Sequence, residues 1–460
     1  MIKISNKFSI HFDNISNESM FHIQKAQNSI SFLLDKKNKI YDKRFEEEIL
    51  NLKDCLKKVE LLNEFSEELN CLCKLFISFL DNLKNSQTYQ HIYTLVTECI
   101  LDFKYQCEET CYTLCSYGLV SVLAKMILNP MLTRMDELIF EFVATVSSKS
   151  KRLSNMFSTN ETAFNISYLS KILKSNIKDE KYSRINTSII QIINTYSSNI
   201  TTHEEQRIIM QCFANDLVYG PKPSYCYALN GLILLIKANR IQTLNLIKLY
   251  KIDKIVKLLY DQYYNLVEEN ETLEYLLYFI GIYLVNSKIF LVEIESVLDL
   301  LSSQDKQIII ASSWLISNIS EKFANILEDY DIGNIIWNIG KIYKSGPFIA
   351  RSSLAEALLQ LSKLDYFNFN IIINQLMSGL MEVVVNFYQF PELYEKATDF
   401  LYFVLIKAEE QNIAPCIVES FIKDNGNEYI YEIMDSNNPN IPPYIIYKLE
   451  NLMKKIKQYL

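Results

Sequence analysis

The sequence predicts an all-α fold of stacked helical repeats, and three observations carry that prediction. The first is the stretch Ala311-Ser-Ser-Trp-Leu-Ile-Ser-Asn-Ile-Ser320, in which Trp314 and Asn318 stand four apart and so share one helix face. The second is its echo. Arg351-Ser-Ser-Leu-Ala-Glu-Ala-Leu358 repeats the frame about 40 residues further on, with Leu354 in the Trp place and Leu358 in the Asn place. The third is glycine placement: of only nine glycines, Gly118, Gly333, Gly379 and Gly426 open apolar helical segments. Their intervals are about 46 and 47 residues for the last two and about five times 43 for the first. A loop glycine between helices would explain any one of them without a repeat, but not the shared spacing.

A period of this size points to helical units of the armadillo or HEAT kind, and such units resolve a problem of length. At 460 residues the chain exceeds a usual single core, yet no Pro/Gly/Ser-rich linker divides it. A solenoid buries each repeat only against its neighbours, so its core lengthens with the chain. Apolar content is 49%, and runs such as Asp253-Lys-Ile-Val-Lys-Leu-Leu-Tyr260 and Ser296-Val-Leu-Asp-Leu-Leu301 follow helical spacing. Strand-like alternation bounded by turn pairs is scarce. The expected architecture is a right-handed superhelical armadillo-repeat solenoid of about ten repeats over 46–460, preceded by a separate segment over 1–45.

Several function classes lose their footing on composition. The first twelve residues break their apolar side chains with Lys3 and Lys7, so no signal-peptide core is read there, and no uninterrupted apolar run approaches the ~18–20 residues of a membrane helix. A soluble cytosolic or nuclear protein without membrane insertion is expected, with its ten cysteines mostly free thiols. Cys107, Cys111 and Cys115 recur at four-residue spacing but lack a C-x-x-C pair or a nearby His, so they read as core rather than as a metal site. No phosphate-binding, dinucleotide-binding, zinc-protease or nucleophile-elbow motif occurs, and His11, His22, His91 and His203 are scattered. No catalytic residue, cofactor or metal is therefore expected, and the protein is read as a non-enzyme. A formal charge of −8 argues against general nucleic-acid binding and suits a basic peptide instead.

The surroundings of Trp314 carry a family resemblance. The run Val297-Leu-Asp-Leu-Leu-Ser-Ser-Gln-Asp-Lys-Gln-Ile-Ile-Ile-Ala-Ser-Ser-Trp-Leu-Ile-Ser-Asn-Ile-Ser320 resembles a late armadillo repeat of importin-α, the adaptor for nuclear-localisation signals. Gly333-Asn-Ile-Ile-Trp-Asn-Ile-Gly-Lys-Ile342 and Arg351-Ser-Ser-Leu-Ala-Glu-Ala357 resemble parts of the next repeat, and Phe421–Asn437 with the helix Tyr444–Leu460 is similar to the closing one. Near the amino terminus, Phe21–Asn38 resembles the importin-β-binding helix, with the hydrophobic-x-Lys-Ala core at Ile23–Ala26.

The resemblance implies two sites. Along the concave face, Trp314 would pack on the stem of a signal lysine and Asn318 would hold the peptide backbone, with Tyr227 and Tyr278 in the Trp places of earlier repeats. In the amino-terminal segment, Ile23, Lys25, Ala26, Lys36, Lys37 and Lys39 would meet an importin-β-type carrier. The implied function is a nuclear import adaptor, shuttling between cytoplasm and nucleus, that bridges cargo with a lysine-rich signal to the carrier. The chain also departs from the family: it has two tryptophans, a single intact Trp/Asn pair, no Trp over about 88–200, and an amino-terminal segment that is arginine-poor, with Lys25, Lys36, Lys37, Lys39, Lys43 and Arg44 interleaved with Asp35 and Asp42. Those departures fit the alternative, an armadillo or HEAT scaffold or chaperone-like protein that binds one dedicated partner without reading signals.

Overall fold

A computed structural model describes residues 17–35, 43–58, 71–72, 74–78, 80, 90–128, 133–159, 163–200, 202–266, 270–327, 332–361, 391–435 and 441–460. Every regular element among them is helical, with no strand. The fold is all-α among the described residues, and the chain divides into two compact units, Met1–Gly231 and Leu232–Leu460. The helix Tyr225–Ala238 contains the boundary.

The first unit holds α1 (Asn17–Leu34), α2 (Lys43–Lys58), α3 (Gln90–Asp102), α4 (Glu108–Leu114), α5 (Val120–Ile127), α6 (Thr133–Lys149), α7 (Lys151–Ser158), α8 (Ile166–Asn176), α9 (Ser183–Tyr196), α10 (His203–Tyr219) and the start of α11 (Tyr225–Ala238). Its spine is a ladder in which α2 packs on α3, α3 on α6 and α6 on α9. The sequence reasons are local. In α2, Phe45, Ile49, Leu52, Cys55 and Leu56 are buried at helical spacing, while the acidic Glu46 in its first turn and Lys57 and Lys58 in its last complement the helix dipole. In α9, Ile189, Ile190, Ile192 and Ile193 are all buried, as befits a helix packed on several sides. Entry into α7, α8 and α10 is fixed by Ser150, Asn165 and Thr202, whose side chains accept from the amides of Leu153, Tyr168 and Glu205. Below them Phe140, Phe157 and Phe164 meet edge to face, and Tyr196 donates from its hydroxyl to the Phe164 carbonyl at 3.2 Å.

One stretch departs from simple helix. Between α4 and α5, Cys115–Leu119 forms a π-helical turn with Gly118 at φ 98°, a left-handed backbone that a side chain would strain. Glu108–Ile127 as a whole is long and apolar enough to cross a membrane by length and composition, yet it is kinked here and half of its apolar window is buried in the fold. Cys107 caps α4, whereas Cys111 and Cys115 are buried, and burial pushes the Cys111 thiol up to about 12. No cluster of metal-ligating side chains occurs among the described residues.

The second unit continues with α12 (Arg240–Leu249), α13 (Ile252–Tyr263), α14 (Asn270–Ser287), α15 (Ile294–Leu300), α16 (Lys306–Leu327), α17 (Ile332–Ser345), α18 (Phe348–Leu361), α19 (Pro391–Glu410), α20 (Ala414–Lys423), α21 (Gly426–Asp435) and α22 (Pro443–Ile456). The same ladder logic holds: α14 packs on α16, α16 on α18, α18 on α19 and α19 on α22. Successive ladder helices of this unit begin about 36 to 52 residues apart, the spacing of stacked repeats. Leu354 and Leu358, the echoes of Trp314 and Asn318, are both fully buried in the core. Of the four glycines read as helix openers, Gly426 begins α21, Gly333 lies in the first turn of α17, Gly118 forms the kink, and Gly379 falls outside the described residues.

Candidate peptide-binding site

Two neighbouring ladder helices of the second unit build the site. In α14, Leu276, Leu277, Phe279 and Ile280 are buried, which leaves Tyr278 half-buried on the remaining face. In α16, Ile308, Ala311, Leu315, Ile316 and Ile319 take the core, and Trp314, Ser317 and Asn318 are half-exposed. Packing of the two helices sets the Trp314 ring edge-on to Tyr278, with centroids 5.4 Å apart and planes at 61°. Gly281 permits this approach: a Cβ there would lie 2.4 Å from Cζ3 of Trp314. Asn318 donates from Nδ2 to the Trp314 carbonyl at 2.8 Å, which orients its amide beside the indole.

The electrostatics of this face are negative. Glu274 stands one turn before Tyr278, and it forms no ion pair or hydrogen bond among the described residues. Burial pushes its carboxyl above the usual range, and the nearby Asp305 and Glu271 add to the shift. The Tyr278 hydroxyl is raised by burial and then by Glu274. An aromatic edge, a side-chain amide and an unpaired carboxylate on one surface can receive a long cationic side chain, its stem on the rings and its charge toward Glu274. Glu274 was not singled out in the sequence, although its place four residues before Tyr278 on a helix was a usable signal.

The other expected site residues fall elsewhere. Tyr227 is half-exposed on α11 in the first unit; three residues on, Asn230 donates to Oδ1 of Asn194 on α9 at 3.3 Å. Adjacent ladder helices of that unit are joined by ion pairs: Lys53 with Glu98, Lys57 with Asp102 at 3.6 Å, and Arg184 with Glu137 at 2.9 Å. Just after α3, the buried Lys104 pairs with Glu141 of α6. Sequence inspection missed these pairs because their members lie some 40 residues apart and no helical spacing links them.

In the amino-terminal segment, Ile23 and Ala26 are buried in α1 together with Ile30 and Leu33, and α1 packs on α2. Ser29 donates to Glu48 at 2.7 Å, and the Arg44 guanidinium lies 4.6 Å above the Phe32 ring. Lys25 is half-exposed, while Lys36, Lys37 and Lys39 lie outside the described residues.

No family model and no curated protein matches the sequence of this chain. Solved structures do match its fold. An engineered protein aligns with a TM-score of 0.61 at 12% identity, covering 94% of this chain and 99% of the other. SYS-1, an armadillo-repeat protein crystallised as the SYS-1/POP-1 complex, aligns with a TM-score of 0.54 at 12% identity, covering 97% of this chain and 87% of the other. At this identity the likeness concerns the fold, and it is an armadillo-repeat fold.

Proposed function

We propose that this protein is a non-enzymatic armadillo scaffold that binds a protein partner, and that α14 and α16 receive a lysine-bearing extended segment of it. The observation that carries this reading is the grouping of Tyr278, Trp314 and Asn318 with the unpaired Glu274. Binding of protein partners is also what SYS-1 does in its complex with POP-1, on the same class of fold. The more specific reading is a nuclear import adaptor, with the lysine-bearing segment a localisation signal and the amino-terminal helix a contact for an importin-β-type carrier. It rests on the importin-α resemblance around Trp314 and at Ile23–Ala26, and it carries with it a life between cytoplasm and nucleus.

A single dedicated partner is the second reading, and specific observations favour it. Ile23 and Ala26 face α2, so a carrier using them would first have to undock α1. The first unit joins its ladder helices through ion pairs, and its Asn230 is engaged by Asn194.

Titration of the full chain with a labelled lysine-rich peptide tests the site. Trp314→Ala is expected to weaken binding by about 1–3 kcal/mol, as for an aromatic anchor, and Asn318→Ala by about 0.5–1.5 kcal/mol, as for one hydrogen bond. Peptide binding itself should fall with added salt, since the peptide is cationic and the chain acidic. A lower melting temperature in a still-folded Trp314→Ala sample with unchanged peptide affinity would place the indole in the core and refute the site. Pull-down of an importin-β-type carrier by the intact chain, lost in a still-folded variant with the half-exposed Lys25→Glu, separates the adaptor from the dedicated scaffold.

A further inference from the structure

The outer side of α12 and α13 carries a row of lysines that no acidic group among the described residues answers. Lys248, Lys251, Lys254 and Lys257 recur at every third residue, across the end of α12, the left-handed linker residue Lys251 (φ 56°) and the first half of α13. All four are exposed, and none forms an ion pair among the described residues. Some lysines elsewhere are met by carboxylates, as Lys53 is by Glu98, Lys104 by Glu141 and Lys448 by Glu395 and Asp399.

Bulky apolar side chains are set among these lysines. Leu249 is 65% exposed, Leu258 69% and Ile241 77%. The two helices do not need them for their own packing, because Thr243, Leu246 and Ile247 of α12 and Val256, Leu259, Tyr260 and Tyr263 of α13 already fill the inward side. One exposed leucine requires no explanation; three large apolar groups among unanswered lysines on consecutive helices do. From Lys237 to Tyr264 the sequence holds six basic residues and two acidic ones, Asp253 and Asp261, in a chain whose formal charge is −8.

We propose that this face docks an acidic segment of a partner protein, one in which glutamates or aspartates are interspersed with bulky apolar side chains. The carboxylates would meet the lysine row and the apolar groups would cover Leu249 and Leu258, so that both unusual features find a complement. A membrane surface fits less well: it favours apolar residues merged into one belt, whereas here Lys248 stands beside Leu249 and Lys257 beside Leu258. A nucleic acid would use the lysines and leave the leucines uncovered. This surface is separate from the Trp314 site in chemistry, since that site attracts a cation and this one an anion.

The test is fluorescence anisotropy of the full chain with a labelled synthetic peptide of Glu-Glu-Leu repeats and with its Lys-Lys-Leu counterpart. The acidic peptide is expected to bind, and the triple variant Lys248→Glu/Lys254→Glu/Lys257→Glu to weaken it on the order of tenfold or more with an unchanged melting temperature, because the three side chains are exposed. Leu249→Ser/Leu258→Ser should weaken the same peptide about threefold or more without changing charge, and it decides the matter should the triple variant melt early. No binding of the acidic peptide, or equal binding to the parent and both variants, overturns the proposal. So does lysine-dependent binding to phosphatidylserine vesicles, to duplex DNA or to a second copy of the chain in place of the peptide.

Discussion

Asp216 near the end of α10 is completely buried, and among the described residues its carboxyl oxygens are met by the Ser224 hydroxyl alone, 2.8 Å from each. Burial pushes its carboxyl up to about 8, against the smaller opposing effect of that hydroxyl. The folded state therefore holds a proton that the unfolded chain releases near pH 4, so stability falls as pH rises through that interval toward 8. Asp216→Asn keeps an acceptor for Ser224 and removes the buried charge. Thermal melts between pH 5 and 9 should show the parent losing stability with rising pH, a flatter profile in Asp216→Asn, and a variant about 1–3 kcal/mol more stable than the parent above pH 8. Parallel profiles would show that Asp216 does not titrate in this interval. Gly281 offers a second residue-scale test, since any Cβ there collides with the Trp314 ring. Gly281→Ala, in a Trp337→Phe background that leaves Trp314 as the sole indole, is expected to shift the emission maximum and weaken lysine-rich peptide binding severalfold, about 1 kcal/mol, with both unchanged if the ring does not touch α14. Trp314 and Asn318 were legible in the sequence because a helix puts i and i+4 side by side; Glu274 and Gly281 became meaningful only once α14 lay against α16.

Helix α1 shows how an element can be legible in kind while its packing partner is not. Ile23, Lys25 and Ala26 were picked out by their resemblance to a carrier-binding core, and 1–45 was read as a segment separate from the repeats. In the fold Ile23, Ala26, Ile30 and Leu33 form a buried stripe at helical spacing against α2, which buries Phe45, Ile49 and Leu52. The stripe was readable as i, i+3, i+7 and i+10, but a single helix does not reveal whether its partner is the same chain or another. Ile30→Ala is accordingly expected to destabilise the first unit by about 2–5 kcal/mol through the cavity it leaves. Urea denaturation of the variant measures this, and an unchanged midpoint would mean that α1 is not part of the folded core. The closing element is held differently: Lys448 of α22 bridges Glu395 and Asp399 of α19 at 2.8 Å each, and Tyr459 donates to Glu409 at 2.9 Å. These partners are about 50 residues apart in sequence, which is why charge patterning within helices did not announce them.

At the scale of the whole molecule, each unit buries apolar surface chiefly between successive ladder helices, as in α14 on α16, α16 on α18 and α18 on α19. The helical period of single segments and the repeat period of roughly 40 residues were both visible in the sequence, because each is a regular spacing of apolar side chains. The division at Gly231 was not, since no linker composition marks it and it falls inside α11. Neighbour-only packing has a thermodynamic consequence: a stack can lose helices from its ends or at a weak junction while the remainder stays folded. Thermal unfolding is therefore expected to be less cooperative than the chain length allows, with a van't Hoff enthalpy well below the calorimetric one. Amide exchange should grade along each unit, fastest in its outermost helices and slowest in α9, which buries Ile189, Ile190, Ile192 and Ile193, and in α16, which buries Ile308, Ile309, Ile316 and Ile319. A single two-state transition with equal enthalpies and uniform exchange protection would contradict this, because it would require a core shared by the whole chain rather than one passed from each helix to the next.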